Sequence, residues 1–184
     1  MFADFLSEPL FVRLFRSWHL LRAERAMPRR RDIDPVALGA DLLPYIAIIE
    51  LCDEGRRPRF RLLGTKLVER FGRDYTGRFL DEFLSGAYYE HIRGIYRDVY
   101  VHRRPIYDEN VFRWSEMNHV WAKRLILPLS ESGGDPEFAI GAQLFSSNAS
   151  GDRKPKNFPI EPPEIERIHS EVLDADRVGA LLSD

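Results

Sequence analysis

The sequence predicts an α+β domain built on a five-stranded antiparallel sheet with strand order 2-1-5-4-3. Two β-branched or alternating segments, residues 45–51 and 59–63, come first. A helical stretch follows, and then three further strand patterns, so the two groups of strands pair if the first strand lies beside the last. Helices would cover one face of this sheet, and an amphipathic N-terminal helix is the candidate cover for the other face.

Composition predicts one core with extensions at both ends. The chain has 184 residues, 44% of them hydrophobic, and twelve phenylalanines, which is enough for a real core. The expected parts are an N-terminal helix and linker (1–31), a central domain (32–148) and a polar C-terminal tail (149–184). The formal net charge of −2 provides no general attraction for nucleic acid.

The chain contains one cysteine, Cys52, so an intrachain disulfide is excluded and a reducing cytoplasm is the expected compartment. No apolar run approaches the roughly 20 residues that a spanning helix needs. The acidic N-terminal segment does not resemble a signal peptide. We therefore expect a cytoplasmic protein with no membrane segment.

The N-terminal segment has the spacing of an amphipathic helix, with Ser7 as the expected N-cap and Pro9 in the first turn. Its apolar stripe consists of Leu10, Phe11, Leu14, Phe15, Trp18 and Leu21. Such a stripe is compatible with a membrane surface, but docking on its own domain or on a second copy is favoured. Leu14, Trp18 and Leu21 are therefore the candidate residues for dimerisation or for docking a partner.

Turn and helix signals organise the middle of the chain. Asp53, Glu54 and Gly55 form a hairpin turn, Thr65 is a candidate N-cap, and Gly72 ends a short helix. A long helix is predicted over residues 86–103, with a stripe that includes Tyr88, Tyr89, Tyr96 and Tyr100.

The second half of the chain is predicted to form a meander and a short helix. The three strands of the meander cover residues 106–114, 119–129 and 137–146. Pro105 precedes the first strand, and residues 132–136 (SGGDP) form the turn before the third. In the proline-bearing tail, only a short helix over about residues 164–173 is predicted.

Four segments, in this order, resemble the PAS domain, and in detail the small single-domain PAS proteins of alphaproteobacteria known as PAS type 5. They are residues 31–35 (RDIDP) with 42–44 (LLP), 59–65 (RFRLLGT), 72–77 (GRDYTG) and 125–130 (LILPLS). The resemblance covers residues 30–148. It implies the fold with some force and the function only loosely, because PAS folds serve many roles.

Catalytic and metal chemistry are disfavoured by the sequence. The five histidines form no metal-binding pair at helical spacing, and no nucleophile elbow, P-loop or dinucleotide fingerprint occurs. Asp108, Glu109 and Glu116 are possible cleft carboxylates, but solvation is the expected state of carboxylates near a strand turn. Residues 29–31 and 56–61 are rich in arginine, yet a solvated surface is favoured over a nucleic-acid site.

The resemblance implies a pocket between the inner sheet face and the helix over residues 86–103. Tyrosines on that helix combine an apolar body with a polar tip, which suits a pocket with a few directed hydrogen bonds. The candidate ligand-binding residues are Tyr88, Tyr96, Tyr100, Trp114, Trp121 and Gln143. The alternative, in which these aromatic residues only fill the core, remains open.

The sequence does not identify a cofactor. Haem-binding PAS domains use a histidine on this helix, where His91 lies, but a lone histidine is usually structural. Flavin-binding light sensors of this fold carry a reactive cysteine in the region that corresponds here to residues 72–79, which contain none. Residues 140–143 resemble their last strand, which leaves Gln143 as a candidate polar contact for another small ligand.

The expected function is a cytoplasmic sensory or signalling module that acts through protein–protein interaction and binds a small ligand in this pocket. Its expected partner is a second copy of the chain or a signalling protein. The alternatives are an interaction scaffold with a filled core and a small α+β enzyme, and the enzyme is the less favoured of the two.

Overall fold

The computed structural model describes residues 3–115, 118–147 and 164–183, and one antiparallel sheet lies at its centre. The strands are β1 (Ile46–Cys52), β2 (Arg57–Leu63), β3 (Ile106–Ser115), β4 (Asn118–Leu129), β5 (Phe138–Ser147) and β6 (Glu164–Val172). Their order is β2-β1-β5-β4-β3-β6. The predicted order 2-1-5-4-3 is confirmed, and a sixth strand extends the sheet beside β3.

Helices lie on both faces of the sheet. They are α1 (Ala3–Leu6), α2 (Pro9–Arg22), α3 (Thr65–Phe71), α4 (Gly86–His102) and α5 (Ala175–Leu181). Helices α3 and α4 pack on one face, and α1, α2 and α5 pack on the other. In the described part of the chain, none of the helices combines the length and apolarity needed to cross a membrane.

Helix α2 docks on its own sheet, because its apolar stripe faces the strands. Phe11, Leu14, Phe15 and Trp18 are at most 1% exposed, and they pack with residues of β4 and β5 such as Leu127. The helix begins at Pro9, after Glu8, so the prediction of Ser7 as N-cap is wrong. The Glu8 carboxylate instead accepts a hydrogen bond from Lys123 on β4 at 2.7 Å.

The C-terminal segment corrects a second prediction. The expected helix over residues 164–173 is the strand β6, which pairs antiparallel with β3 from Val172 opposite Ile106 to Glu164 opposite Arg113. The backbone groups on the edge of β3 would otherwise lack sheet partners, and β6 satisfies them. The helix of the tail is α5, which begins after the N-cap Asp174.

Two glycines lie at close backbone contacts in the turns of the first half of the chain. Gly64 lies between β2 and α3, and a Cβ at this position would lie 2.3 Å from the Pro44 carbonyl oxygen, so a residue with a side chain cannot fit without a shift of the backbone. Gly55 in the β1–β2 turn has a φ of +79°, and a Cβ on it would lie 2.7 Å from the Tyr96 carbonyl oxygen of α4. The Gly55 contact holds the β1–β2 turn against α4, which packs over β3, β4 and β6 at the candidate site.

Candidate functional site

Four polar side chains form a row across the sheet face that α4 covers. In the strand register, Asp108 of β3 lies opposite Arg124 of β4 and opposite Ser170 of β6, and Arg124 lies opposite Gln143 of β5. Laterally paired residues of neighbouring strands point to the same face. Ser170, Asp108, Arg124 and Gln143, called the polar row below, therefore cross four strands beneath α4.

The centre of the polar row is a buried ion pair. Arg124 Nη1 donates to Asp108 Oδ2 at 2.8 Å, and the two residues are 4% and 0% exposed. Strand alternation buries Arg124, because its neighbours on this face of β4 are the fully or nearly fully buried Ala122 and Ile126. Charges at this depth require partners for their remaining polar atoms, since desolvation would otherwise outweigh their attraction.

Asp108 receives hydrogen bonds from both sides of the row. Ser170 Oγ donates to Oδ1 at 2.6 Å, Asn110 Nδ2 donates to Oδ2 at 3.0 Å, and His91 Nε2 lies 3.0 Å from Oδ1. Burial alone would raise the pKa of Asp108. The hydrogen bond from His91 and the charge of Arg124 outweigh burial, so the pKa lies below its ordinary value and the group is a carboxylate.

Arg124 is held on its other side by Tyr88 and Gln143. Its Nη2 donates to the Tyr88 hydroxyl of α4 at 2.7 Å. With the Gln143 amide oriented so that its oxygen faces the guanidinium, that oxygen accepts from Nε at 2.8 Å and from Nη2 at 2.9 Å. The guanidinium is thus fixed by a carboxylate, a phenol and an amide, each from a different element.

A small cavity of about 30 Å³ adjoins the end of the polar row where Gln143 lies. It is lined by Phe60, Phe71, Leu80, Phe83, Leu84, Tyr88, Ile92, Tyr96, Arg124 and Gln143. Burial raises the pKa of the Tyr96 phenol well above its ordinary value, so Tyr96 is a neutral hydroxyl at the cavity wall. The cavity therefore has apolar walls with polar groups concentrated on the sheet side.

Comparison with known protein families identifies this architecture. A family model described as PAS domain matches residues 7–144, about three quarters of the chain. The chain belongs to the PAS domain family. A search of curated proteins gives no match. PAS domains are generally sensory and signalling modules, so the family supports that broad class of function for this chain.

The PAS fold brings together three of the six predicted ligand-binding residues. Tyr88, Tyr96 and Gln143 line the cavity. Tyr100 lies further along α4, where its Cβ comes within 3.2 Å of the position of a Cβ on Gly55 in the β1–β2 turn.

The two predicted tryptophans do not join this group. Trp121 is an odd-numbered residue of β4, like Leu125, so it points to the α2 face of the sheet and away from the cavity. Its ring centroid lies 6.1 Å from that of His119. The side chain of Trp114 lies outside the described residues.

The predicted interaction residues lie inside the PAS domain. Leu14 and Trp18 are each 1% exposed, and Leu21 packs partly buried against the same core. The Trp18 indole N–H donates to the Pro128 carbonyl oxygen at 2.8 Å, which anchors α2 to β4. An interaction through Leu14 or Trp18 would therefore require α2 to leave the sheet.

Sequence reasoning missed most of the polar row. Asp108 was expected to be a solvated carboxylate, and that expectation is wrong because β6 and α4 enclose it. The signal for Arg124 was available, since an arginine stands at a core position among alternating apolar residues. For Ser170 no signal existed, because its segment was predicted to be a helix.

Two alternative chemistries meet structural counter-evidence. His91, the residue considered for haem, is directed at the Asp108 carboxylate. Arginines of the β1–β2 hairpin pair with carboxylates, as in Arg56 with Glu54, Arg57 with Asp81 and Arg59 with Glu50, which neutralises a nucleic-acid surface there. Within the described ranges, no group of three or more His, Cys, Asp or Glu residues could hold a metal ion.

Proposed function

We propose that this PAS domain is a sensory module that binds a small ligand in the cavity between α4 and the sheet. The observation that carries this proposal is the polar row, which ends at the cavity with Arg124 and Gln143. Buried polar groups that meet an otherwise apolar cavity are the usual means of orienting a ligand. A domain that only needed a stable core would have no need of a buried charge here, since apolar replacements of such pairs are often neutral or stabilising.

The ligand expected at this cavity is small and uncharged. The positive charge of Arg124 is matched by Asp108, and its donors are directed at Asp108, Tyr88 and Gln143. An anion would have to displace those partners, whereas a neutral molecule with one hydrogen-bonding group could meet the Tyr96 hydroxyl. The remaining walls are aromatic or aliphatic and suit an apolar body.

Binding would require the cavity to widen. A volume of about 30 Å³ holds roughly two water molecules by the usual measure. The most adaptable wall is the segment before α4, where Phe83 and Leu84 are half-buried. Phe83 stacks on Tyr75 with ring centroids 4.0 Å apart, so a shift of this aromatic pair would admit a ligand without moving the sheet.

The output of the module would be a contact with another protein, either a second copy or a signalling partner. Support comes from the terminal helices, which keep large apolar side chains at the surface: Leu20 of α2 is 80% exposed and Leu181 of α5 is 51% exposed. We also propose a cytoplasmic location. Its support is the single cysteine, Cys52, because a chain without an intrachain disulfide fits a reducing compartment.

Native mass spectrometry of the purified chain tests ligand binding. We expect a species heavier than the bare chain, and we expect Leu84→Trp to abolish it because the larger side chain fills the entrance. Val101→Trp is the matched control, since Val101 lies 53% exposed on α4. The proposal is wrong if wild type carries no extra mass, or if the extra mass is equal in both variants.

A filled-core interaction scaffold is the second candidate, and the small size of the cavity favours it. At about 30 Å³ the cavity needs no occupant other than water. On this alternative, wild type and Leu84→Trp would both carry no mass beyond the bare chain, and they would bind partner proteins equally.

A further inference from the structure

The polar row has a second end, away from the cavity, on the added strand β6. Gln143 and Arg124 line the cavity. At the other end of the row, the Ser170 hydroxyl donates a 2.6 Å hydrogen bond to Asp108. Each member contacts the next, so the row is a continuous chain of polar contacts across four strands. A displacement of Gln143 or Arg124 would therefore change the hydrogen bond at Ser170 through side-chain contacts alone.

Strand β6 continues directly into a helix that rests on α2. Leu173 is buried and its N–H donates to the Pro105 carbonyl at 2.8 Å. Helix α5 then runs antiparallel to α2, with Asp176 next to Arg22, Gly179 against His19, and the Leu182 carbonyl accepting from Arg16 at 2.7 Å. The same segment thus contacts the polar row at one point and the N-terminal helix at another.

Strand β6 lies at one edge of the sheet and buries little apolar surface. Strand β6 is an edge strand, with β3 as its neighbour on one side only. Ile168 is 51% exposed and Val172 is 37% exposed, so β6 buries little apolar surface. Elements with few buried apolar contacts open at low free energy, and a single charge-assisted hydrogen bond is then a large part of what holds them.

We infer that β6 and α5 together form a displaceable clasp, and that the polar row sets how firmly it is closed. This inference rests on the proposed function, because it assigns the regulated output of the same cavity. A neutral ligand that meets the Tyr96 hydroxyl and turns the Gln143 amide away from Arg124 would change how Arg124 holds Asp108 and loosen Asp108 from Ser170. The population would shift toward molecules in which β6 has left the edge of β3. Opening would uncover that edge together with the α5-facing side of α2.

Hydrogen–deuterium exchange on the full chain, with no ligand added, tests the clasp. In Ser170→Ala, Asp108 loses one donor, and we expect amides of β6 and α5 to exchange about tenfold faster than in wild type. In Gln143→Met, a change of similar size three strands away from β6, we expect the same amides to exchange about threefold faster. Amides of β1 and β2 should keep the wild-type rate in both variants.

Leu144→Met is the matched control, because Leu144 neighbours Gln143 on β5 but packs against the core on the α2 side. It should leave exchange in β6 unchanged. The inference is overturned if Gln143→Met leaves β6 at the wild-type rate, if it speeds exchange equally throughout the sheet, or if Ser170→Ala has no effect. Because these measurements use no ligand, their outcome is independent of whether the mass measurement detects one.

Discussion

At the scale of single residues, the defining feature is a buried arginine whose partners come from two strands and a helix. Arg124 contacts Asp108 on β3, Tyr88 on α4 and Gln143 on β5. The sequence indicates that residue 124 occupies a core position, but its partners depend on the β3–β4 register. A slip of one residue would send Asp108 to the opposite face, and turn length cannot be predicted that accurately.

Trp18 supplies a residue-scale prediction for the other face of the sheet. Trp18→Phe removes the indole N–H that bonds the Pro128 carbonyl and leaves that buried oxygen without its donor. We expect a loss of about 1 to 3 kcal/mol in the free energy of unfolding, measured by urea denaturation. Trp121→Phe, at a half-buried position on the same face, should lose less. Equal losses in the two variants would contradict the anchoring role of the hydrogen bond.

At the scale of elements, apolar periodicity predicted the strands and helices whose faces are fully buried. The stripe of α4 and the alternation in β4 reflect packing that is continuous along each element. Strand β6 was predicted to be a helix, and the reason is physical. Ile165, Ile168 and Val172 have helical spacing, but Ile168 and Val172 are exposed. Their spacing therefore does not arise from the buried face of a helix. A half-exposed edge strand imposes little pattern on its sequence.

The packing of α5 on α2 gives an element-scale prediction. A Cβ on Gly179 would lie 2.4 Å from Nε2 of His19. His19 cannot easily yield, because it stacks on Phe15 and accepts a hydrogen bond from Arg22 at 3.2 Å. Gly179→Ala should therefore detach α5, free the helical backbone at Arg177 for cleavage by trypsin, and lower the free energy of unfolding by about 1 to 3 kcal/mol.

Two further variants test whether the contact between residue 179 and His19 causes the loss of stability in Gly179→Ala. Gly94→Ala on α4 adds the same methyl group where nothing lies within 4 Å, and it should be neutral or stabilising by up to about 1 kcal/mol. Adding His19→Ala to Gly179→Ala should restore protection of Arg177. Cleavage that persists in the double variant would show that the loss arises elsewhere.

At the scale of the whole molecule, the two ends of the chain complete a fold whose centre was predictable. Helix α2 and the β6–α5 segment share cores with the central strands. The expected division at residues 31 and 148 therefore separates segments that pack together. What the sequence could not supply is the partner of each terminal segment, since an amphipathic stripe fits a sheet, a second copy or a membrane equally well.

Acid should destabilise the whole domain through the buried carboxylate of Asp108. The pKa of Asp108 is lowered in the folded chain, so the unfolded chain binds a proton first as pH falls. Its stabilisation is complete above the ordinary aspartate value of about 3.9 and is lost as pH falls from there through the lower folded value. The free energy of unfolding, measured by urea at a series of pH values, should decline over this range.

Asp108→Asn separates this group from the other carboxylates. The variant should be about 3 to 5 kcal/mol less stable at neutral pH, because Arg124 is left buried without a counter-charge. Its stability should then fall less steeply on acidification than that of wild type. Parallel acid profiles for the two proteins would mean that Asp108 does not carry the effect.

The two-sided burial of β4 has an evolutionary consequence. From Arg124 to Leu129 every side chain is buried, and neighbours in sequence belong to opposite halves of the domain. Adaptation to a new signal would alter even-numbered positions such as Arg124, while adaptation to a new attachment of α2 would alter odd-numbered ones such as Leu125. The two traits can thus diverge independently among descendants, although a single strand encodes both.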